Sequence, residues 1–282
     1  MRKRGEELLI LALLLLPALV TVLPLFLLLT GSLMDVQEIR ERLMPVFTGE
    51  GSFFFTAIPD YPTFLNYEKL LLETPQFFAL FWNSMRMTGA VLAGQLLVAV
   101  PAAFGFAVYK GKGSRLLFSL YTVLMLIPFQ VTMLSSYLVL TRLHLMNTQW
   151  AVILPAVFSA FPVFLCYGGF SAIPQAMLEA ARIDGAGEAG LFLRIGLPLG
   201  RGGICSALIL GFLECFNLIE QPMAFLDDKS LWPLSLYLPQ ISLNQAATAF
   251  CGSVIMLIPV LFVFGLFHDD LEQGIVYAGL KE

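Results

Sequence analysis

Long apolar runs separated by short polar segments dominate the chain. Six runs are long enough to cross a bilayer: Leu8–Thr30, Ser84–Tyr109, Leu116–Leu140, Trp150–Phe170, Gly202–Leu226 and Ala249–Phe267. A hydrocarbon core of about 30 Å needs about 20 mostly apolar residues in a helix. Backbone groups in lipid must satisfy one another, so each run is read as a helix. Pro17, Pro24, Pro101, Pro128, Pro155, Pro162 and Pro259 fall inside these runs. In membrane helices prolines are tolerated and mark kinks. The first run follows Arg2, Lys3 and Arg4, as in a signal peptide, but its 23 uncharged residues exceed a signal core of about 7–15. No small-residue cleavage site follows, so a retained first span is expected.

The basic residues orient the spans. With the N-terminus in the cytoplasm, Arg2, Lys3, Arg4, Lys110, Lys112, Arg115, Arg182, Arg194, Arg201 and Lys281 lie inside. Arg40, Arg42, Lys69, Arg86, Arg142 and Lys229 lie outside, where the loops are longer in total. The short loop Lys110–Arg115, half of it basic, decides the orientation and places both termini in the cytoplasm. Three polar segments remain. Residues 35–82 are external, and 63–81 within them can hold a helix against the membrane surface. Residues 171–201 are cytoplasmic, and residues 222–248 are external. No fixed-period repeat is visible, nor the inverted repeat common in secondary transporters.

The cytoplasmic segment 171–201 is the most informative. Pro174 can start a helix, and Gln175 to Ile183 are mostly good helix formers. Glu179 and Arg182 are three apart and can pair on one face; Met177, Leu178 and Ala181 can form another. Gly185 and Gly187 around Ala186 suit a tight helix-ending turn. A second short helix then leads to Pro198 and the fifth span. This helix–turn–helix knob can seat in a groove of another protein, with Glu179 and Asp184 as polar anchors, or it can lie along the membrane surface.

Composition narrows the function. Hydrophobic residues make up 58% and charged residues 13%, mean hydropathy is +0.83 and net charge is −4. A single water-soluble globule and a disordered chain are both excluded. A pI near 5.3 argues against nucleic acid as a partner; membrane lipid is the partner implied. Cys166, Cys205, Cys215 and Cys251 sit in apolar runs without a C-x-x-C pair, and read as buried hydrophobes. His144 and His268 are too few for a His-rich metal site, and no metal is expected. No phosphate-binding G-x-x-x-x-G-K-[ST] motif occurs and no catalytic constellation is present, so the chain is not expected to be an enzyme.

Glu214, Asn217 and Glu220 are spaced by three in the fifth run, which predicts one shared helix side. Acids within a span usually face a bundle interior or a wet cavity. They are candidates for a solute path, for contacts to a partner helix, or for proton uptake in a secondary transporter. Gly89-x-x-x-Ala93 and Ala90-x-x-x-Gly94 suit close helix packing. Phe53-Phe54-Phe55 and Trp82 read as membrane-interface anchors.

Glu179-Ala180-Ala181, then Asp184-Gly185-Ala186, then Ile195 and Pro198 resemble the "EAA" loop of permease subunits in bacterial ABC importers. Further stretches resemble the carbohydrate-importer permeases, the maltose-type group, and their smaller permease subunit. They include Thr63-Phe64-Leu65-Asn66-Tyr67, Asn83-Ser84, Ala102 to Ala107, Ile127-Pro128, Asn147-Thr148 and Gly279-Leu280-Lys281. Departures are Phe216-Asn217 for the usual "WN", the missing second proline near Leu134-Ser135-Ser136-Tyr137, and Asp269-Asp270 in the tail. The resemblance implies an all-α membrane protein with six transmembrane helices, the type I ABC importer permease fold. It implies that Glu179, Ala180, Ala181, Asp184, Gly185, Ala186 and Pro198 couple the chain to an ATPase subunit dimer, where ATP and Mg bind. It further implies a second, different permease subunit, an extracellular or periplasmic solute-binding protein, and a sugar or oligosaccharide as the solute. A permease of the same superfamily for another solute is the alternative.

Overall fold

A computed structural model describes residues 2–48, 58–240 and 245–279. Phe53-Phe54-Phe55 and Leu280-Lys281 lie outside the described residues, as do the side chains of His268, Asp269 and Asp270. Among the described residues the structure is entirely helical. The main helices are α1 (Arg2–Ser32), α2 (Val36–Thr48), α3 (Leu65–Leu72), α4 (Pro75–Val108), α5 (Lys112–Met125) and α6 (Phe129–Arg142). They continue as α7 (Trp150–Val157), α8 (Ala160–Ser171), α9 (Gln175–Ile183) and α10 (Glu188–Leu199). The last are α11 (Arg201–Phe216), α12 (Glu220–Phe225) and α13 (Ala246–Gly279).

Four segments are long and apolar enough to cross a membrane: Leu13–Ser32, Pro75–Val108, Trp150–Ser171 and Ala246–Phe267. With each of two bent pairs counted as one span, the number rises to six. α5 and α6 meet at 102°, and α10 and α11 meet at 69°. Pro128 caps α6 in extended conformation and has no N–H to continue the helix from α5. Pro198 likewise leaves the Arg194 carbonyl without its usual donor, and the preceding Leu191–Gly196 stretch widens into a π-helix.

The fifth run departs from expectation. Instead of one helix over Gly202–Leu226, α11 ends at Phe216 and α12 starts at Glu220. Pro222 cannot donate to the carbonyl of Leu218, and the Asn217 side chain turns back to donate to Leu213 O at 2.9 Å. The second span begins earlier than predicted, at Pro75. The helix predicted within 63–81 is divided between α3 and the start of α4.

The chain forms two compact units, residues 1–78 with 238–259, and residues 79–237 with 260–282. In the first unit, Glu38 is buried and ion-paired with Arg42 at 3.0 Å, and it accepts from the backbone N–H groups of Asp60 and Tyr61. Arg42 also pairs with Asp60. Asn66 donates to Met34 O at 2.8 Å, and the Tyr67 hydroxyl donates to Ser32 Oγ at 2.8 Å. Burial raises the Tyr67 hydroxyl above its ordinary pKa. A polar segment outside the spans is thereby tied to the end of α1.

In the second unit, α8 and α11 cross at backbone contact. A Cβ on Gly169 would lie 2.9 Å from Gly200 O and Gly203 N, and one on Gly203 would lie 2.9 Å from Leu165 O. Of the predicted small-residue faces, one is used: a Cβ on Gly94 would lie 2.5 Å from Val157 Cγ2 on α7, whereas Gly89 meets open space. Asn83 and Ser84 fasten the loop after α12. Asn83 donates to Ser230 O at 2.7 Å and Trp232 O at 3.1 Å, and Ser84 Oγ accepts from Leu234 N at 2.8 Å. Asn147 does the same from the other side, its Oδ1 accepting from the N–H groups of Asp227 and Asp228.

Candidate functional site: a helix–turn knob and a lined cavity

The knob is built around one buried leucine. α9 lies on the second unit through Leu178, which is 1% exposed in a core with Phe104, Phe170, Ile173 and Leu191. Ala181 and Ala186 pack against the same core. Met177, placed with them by periodicity, is instead exposed. The outward face carries Glu179, Ala180, Asp184 and Ile183, the last 86% exposed.

α9 ends in a Schellman turn. Ala186 N donates to Ala181 O at 2.9 Å and Gly185 N to Arg182 O at 3.1 Å, with Gly185 at φ +86°. Only glycine takes that conformation without strain. A Cβ on Gly185 would meet no atom of this chain within 4 Å. The turn is thus an open surface with a backbone constraint. Pro198 is exposed in the bent segment leading to α11.

The expected Glu179–Arg182 pair is not formed. Arg182 Nε lies 3.4 Å from Glu188 Oε1 across the Gly185 turn. The Tyr109 hydroxyl, just past the end of α4, donates to Glu188 Oε2 at 2.5 Å. That hydrogen bond is the main cause holding the Glu188 carboxyl below its ordinary pKa, with Arg182 adding to it, and it pushes Tyr109 up. Helical spacing favoured Glu179, but the chain reverses at Gly185 and brings Glu188 closer to the guanidinium. Sequence offered no local signal for Tyr109, which is 79 positions from Glu188.

The second unit also holds a cavity of about 690 Å³. Glu214 of α11 lines it together with Gln95 of α4, Tyr121 of α5, Ser136 of α6, Ser159 and Gln221. Gln95 is oriented by donating to Ala156 O at 3.0 Å, and Gln221 Oε1 is buried without a hydrogen-bond partner. Asn217 and Glu220 are not on this wall. Asn217 caps α11, and Glu220 opens α12, accepting from Gln130 Nε2 at 2.7 and 2.9 Å. The break after Phe216 therefore dissolves the predicted three-residue stripe and leaves Glu214 at the cavity. Gln95 and Gln221 were findable by the rule that flagged Glu214, since polar side chains inside spans face interiors or water.

The family described as binding-protein-dependent transport system inner membrane component matches residues 95–277. The arabinooligosaccharides transport system permease protein AraQ of Halalkalibacterium halodurans is 29% identical over 226 residues, covering 79% of this chain and 81% of that protein. A bacterial ABC transporter crystal structure, described as involved in import of the acidic polysaccharide alginate, superposes with a TM-score of 0.80. It is 19% identical and covers 95% of this chain and 97% of that one. A bacterial alginate ABC transporter in complex with an alginate pentasaccharide-bound periplasmic protein superposes at 0.62, with 16% identity, covering 94% and 96%. The family match spans about two-thirds of the sequence, and the chain belongs to the binding-protein-dependent transport system inner membrane components.

Proposed function

We propose that this chain is a permease subunit of an ATP-driven importer for a sugar or oligosaccharide. The observation that carries the coupling is the knob itself: a short helix anchored by Leu178, closed by Gly185, with its outer face uncovered. Its partners are a dimer of ATPase subunits that bind ATP and Mg, a second permease subunit forming a heterodimer with this chain, and an extracellular or periplasmic solute-binding protein. The chain itself binds no cofactor and does no covalent chemistry. Its termini and the 171–201 segment face the cytoplasm, as its basic residues favour. ATP-driven closure of the ATPase pair moves the knob, and the spans alternate between inward- and outward-open arrangements. The sugar reading is supported by the relative named for arabinooligosaccharides, 29% identical to this chain.

Two substitutions at Gly185 test the docking. Gly185→Ala adds strain in the left-handed region, of order 1–2 kcal/mol, but little bulk. Gly185→Trp adds the same strain and a large side chain in space that this chain leaves open. The expected result is partial uptake in Gly185→Ala, and loss of both uptake and ATPase co-purification in Gly185→Trp. Full uptake with an assembled complex in Gly185→Trp would refute docking at this surface.

A further inference from the structure

The cavity beside Glu214 has a chemical signature that goes past the general sugar reading, on which this inference rests. Its volume, about 690 Å³, falls within the range of roughly 300–1,000 Å³ typical of small-molecule sites. Its wall offers two amides (Gln95, Gln221), the hydroxyls of Tyr121, Thr132, Ser136 and Ser159, and the carboxyl of Glu214. Apolar Phe129, Phe158 and Phe161 share the lining. Hydroxyl, amide and aromatic groups in this mixture suit the polar edges and apolar faces of a pyranose ring. Among the described residues that line it there is no lysine, arginine or histidine. Glu220, the nearest acid in sequence, is held by Gln130 away from this wall.

We propose that Glu214 makes this path selective for uncharged saccharides and excludes those carrying carboxylates. A uronic acid in the cavity would meet like charge and find no cation to pair with. Both effects oppose entry: like-charge juxtaposition rejects wrong partners, and an unpaired charge taken from water is costly. A neutral sugar has no such penalty, and its hydroxyls can donate to the Glu214 oxygens. Specificity here comes from the repulsive element as much as from the attractive ones. Glu214 is a specificity residue of the permease wall, separate from any selection made by a solute-binding protein.

The test uses the complete importer purified in detergent without its solute-binding protein, and the same importer in cells. Equilibrium binding is measured with a neutral trisaccharide panel, with trigalacturonate, and with the methyl ester of trigalacturonate. Wild type should bind a neutral trisaccharide at least about tenfold more tightly than trigalacturonate, the scale of rejection expected for unlike charge patterns. The methyl ester should recover most of the difference with no change to the protein. Glu214→Gln should bring trigalacturonate to within about threefold of the neutral ligand, while Glu214→Asp keeps the gap. Equal wild-type binding of acid and ester would overturn the proposal, and this comparison stands even where Glu214→Gln fails to assemble. An unchanged gap in an assembled Glu214→Gln complex would also overturn it. Cells that take up no saccharide, neutral or acidic, would instead defeat the sugar reading and this proposal with it.

Discussion

Single residues carry the tightest constraints in this protein, and most of them are glycines. Gly185 is required by its positive φ and not by crowding. Gly169 and Gly203 are required by crowding: each would push a Cβ to 2.9 Å from backbone atoms of the facing helix. Backbone cannot move aside as a side-chain tip can, so Gly203→Ala should separate α8 from α11. The expected cost is about 1–3 kcal/mol, typical of overpacking, seen as a lower unfolding midpoint of the detergent-solubilised complex. Gly89→Ala is the internal control. Its Cβ meets nothing within 4 Å, and helix propensity favours alanine by up to about 1 kcal/mol, so the midpoint should hold or rise. In the sequence, spacing marks Gly89 and Gly94 as packing residues without saying which neighbour they face, and nothing local singles out Gly169 or Gly203.

Among the elements, the junctions behave differently from the spans they join. The Tyr109–Glu188–Arg182 cluster ties the end of α4 to the turn after α9. Glu188 is held below its ordinary carboxylate value by the Tyr109 hydrogen bond. Its contribution is therefore complete above the unfolded-state pKa and is lost as pH falls through the lowered folded-state value. Tyr109 is shifted upward by the same bond, so its contribution is complete below the unfolded value and lost only as pH rises through the raised one. The junction should hold across neutral pH and loosen in acid. Tyr109→Phe removes the hydrogen bond and keeps the ring, so trypsin cleavage after Arg182 should quicken at neutral pH. In wild type the same quickening should be absent at neutral pH and appear as pH rises through the raised Tyr109 value. On the opposite side of the spans, Asn83 makes two donor contacts to the 230–232 loop and accepts from Arg86 and Gln149. Asn83→Ala leaves buried groups unpaired at about 1–3 kcal/mol, and should lower the unfolding midpoint without altering the knob. The resemblances at Asn83, Ser84 and Asn147 thus acquire a physical reason, because these side chains fasten one loop, whereas Thr148 donates to Leu145 O within its own turn.

For the whole molecule, the proposed function makes transport depend on a motor supplied by other chains. Uptake should therefore stop when cellular ATP is depleted and persist when an uncoupler dissipates the proton gradient. The opposite pattern would favour proton uptake at Glu214 or Glu220. The sequence alone determined the hydrophobic lengths, the six expected crossings, the basic loop that favours one orientation, and the Gly185 turn. These are local properties: about 20 apolar residues suffice for a span, and a Gly beyond a short helix suffices for a left-handed cap. The tertiary structure decided which polar groups meet. It broke the fifth run at Phe216, sent Glu220 to Gln130, left Glu214 on the cavity wall, and gave Arg182 to Glu188 instead of Glu179. Partners so far apart in the chain are chosen by helix bends and close crossings. Their positions emerge only when every helix packs against its neighbours, which no single stretch of sequence specifies.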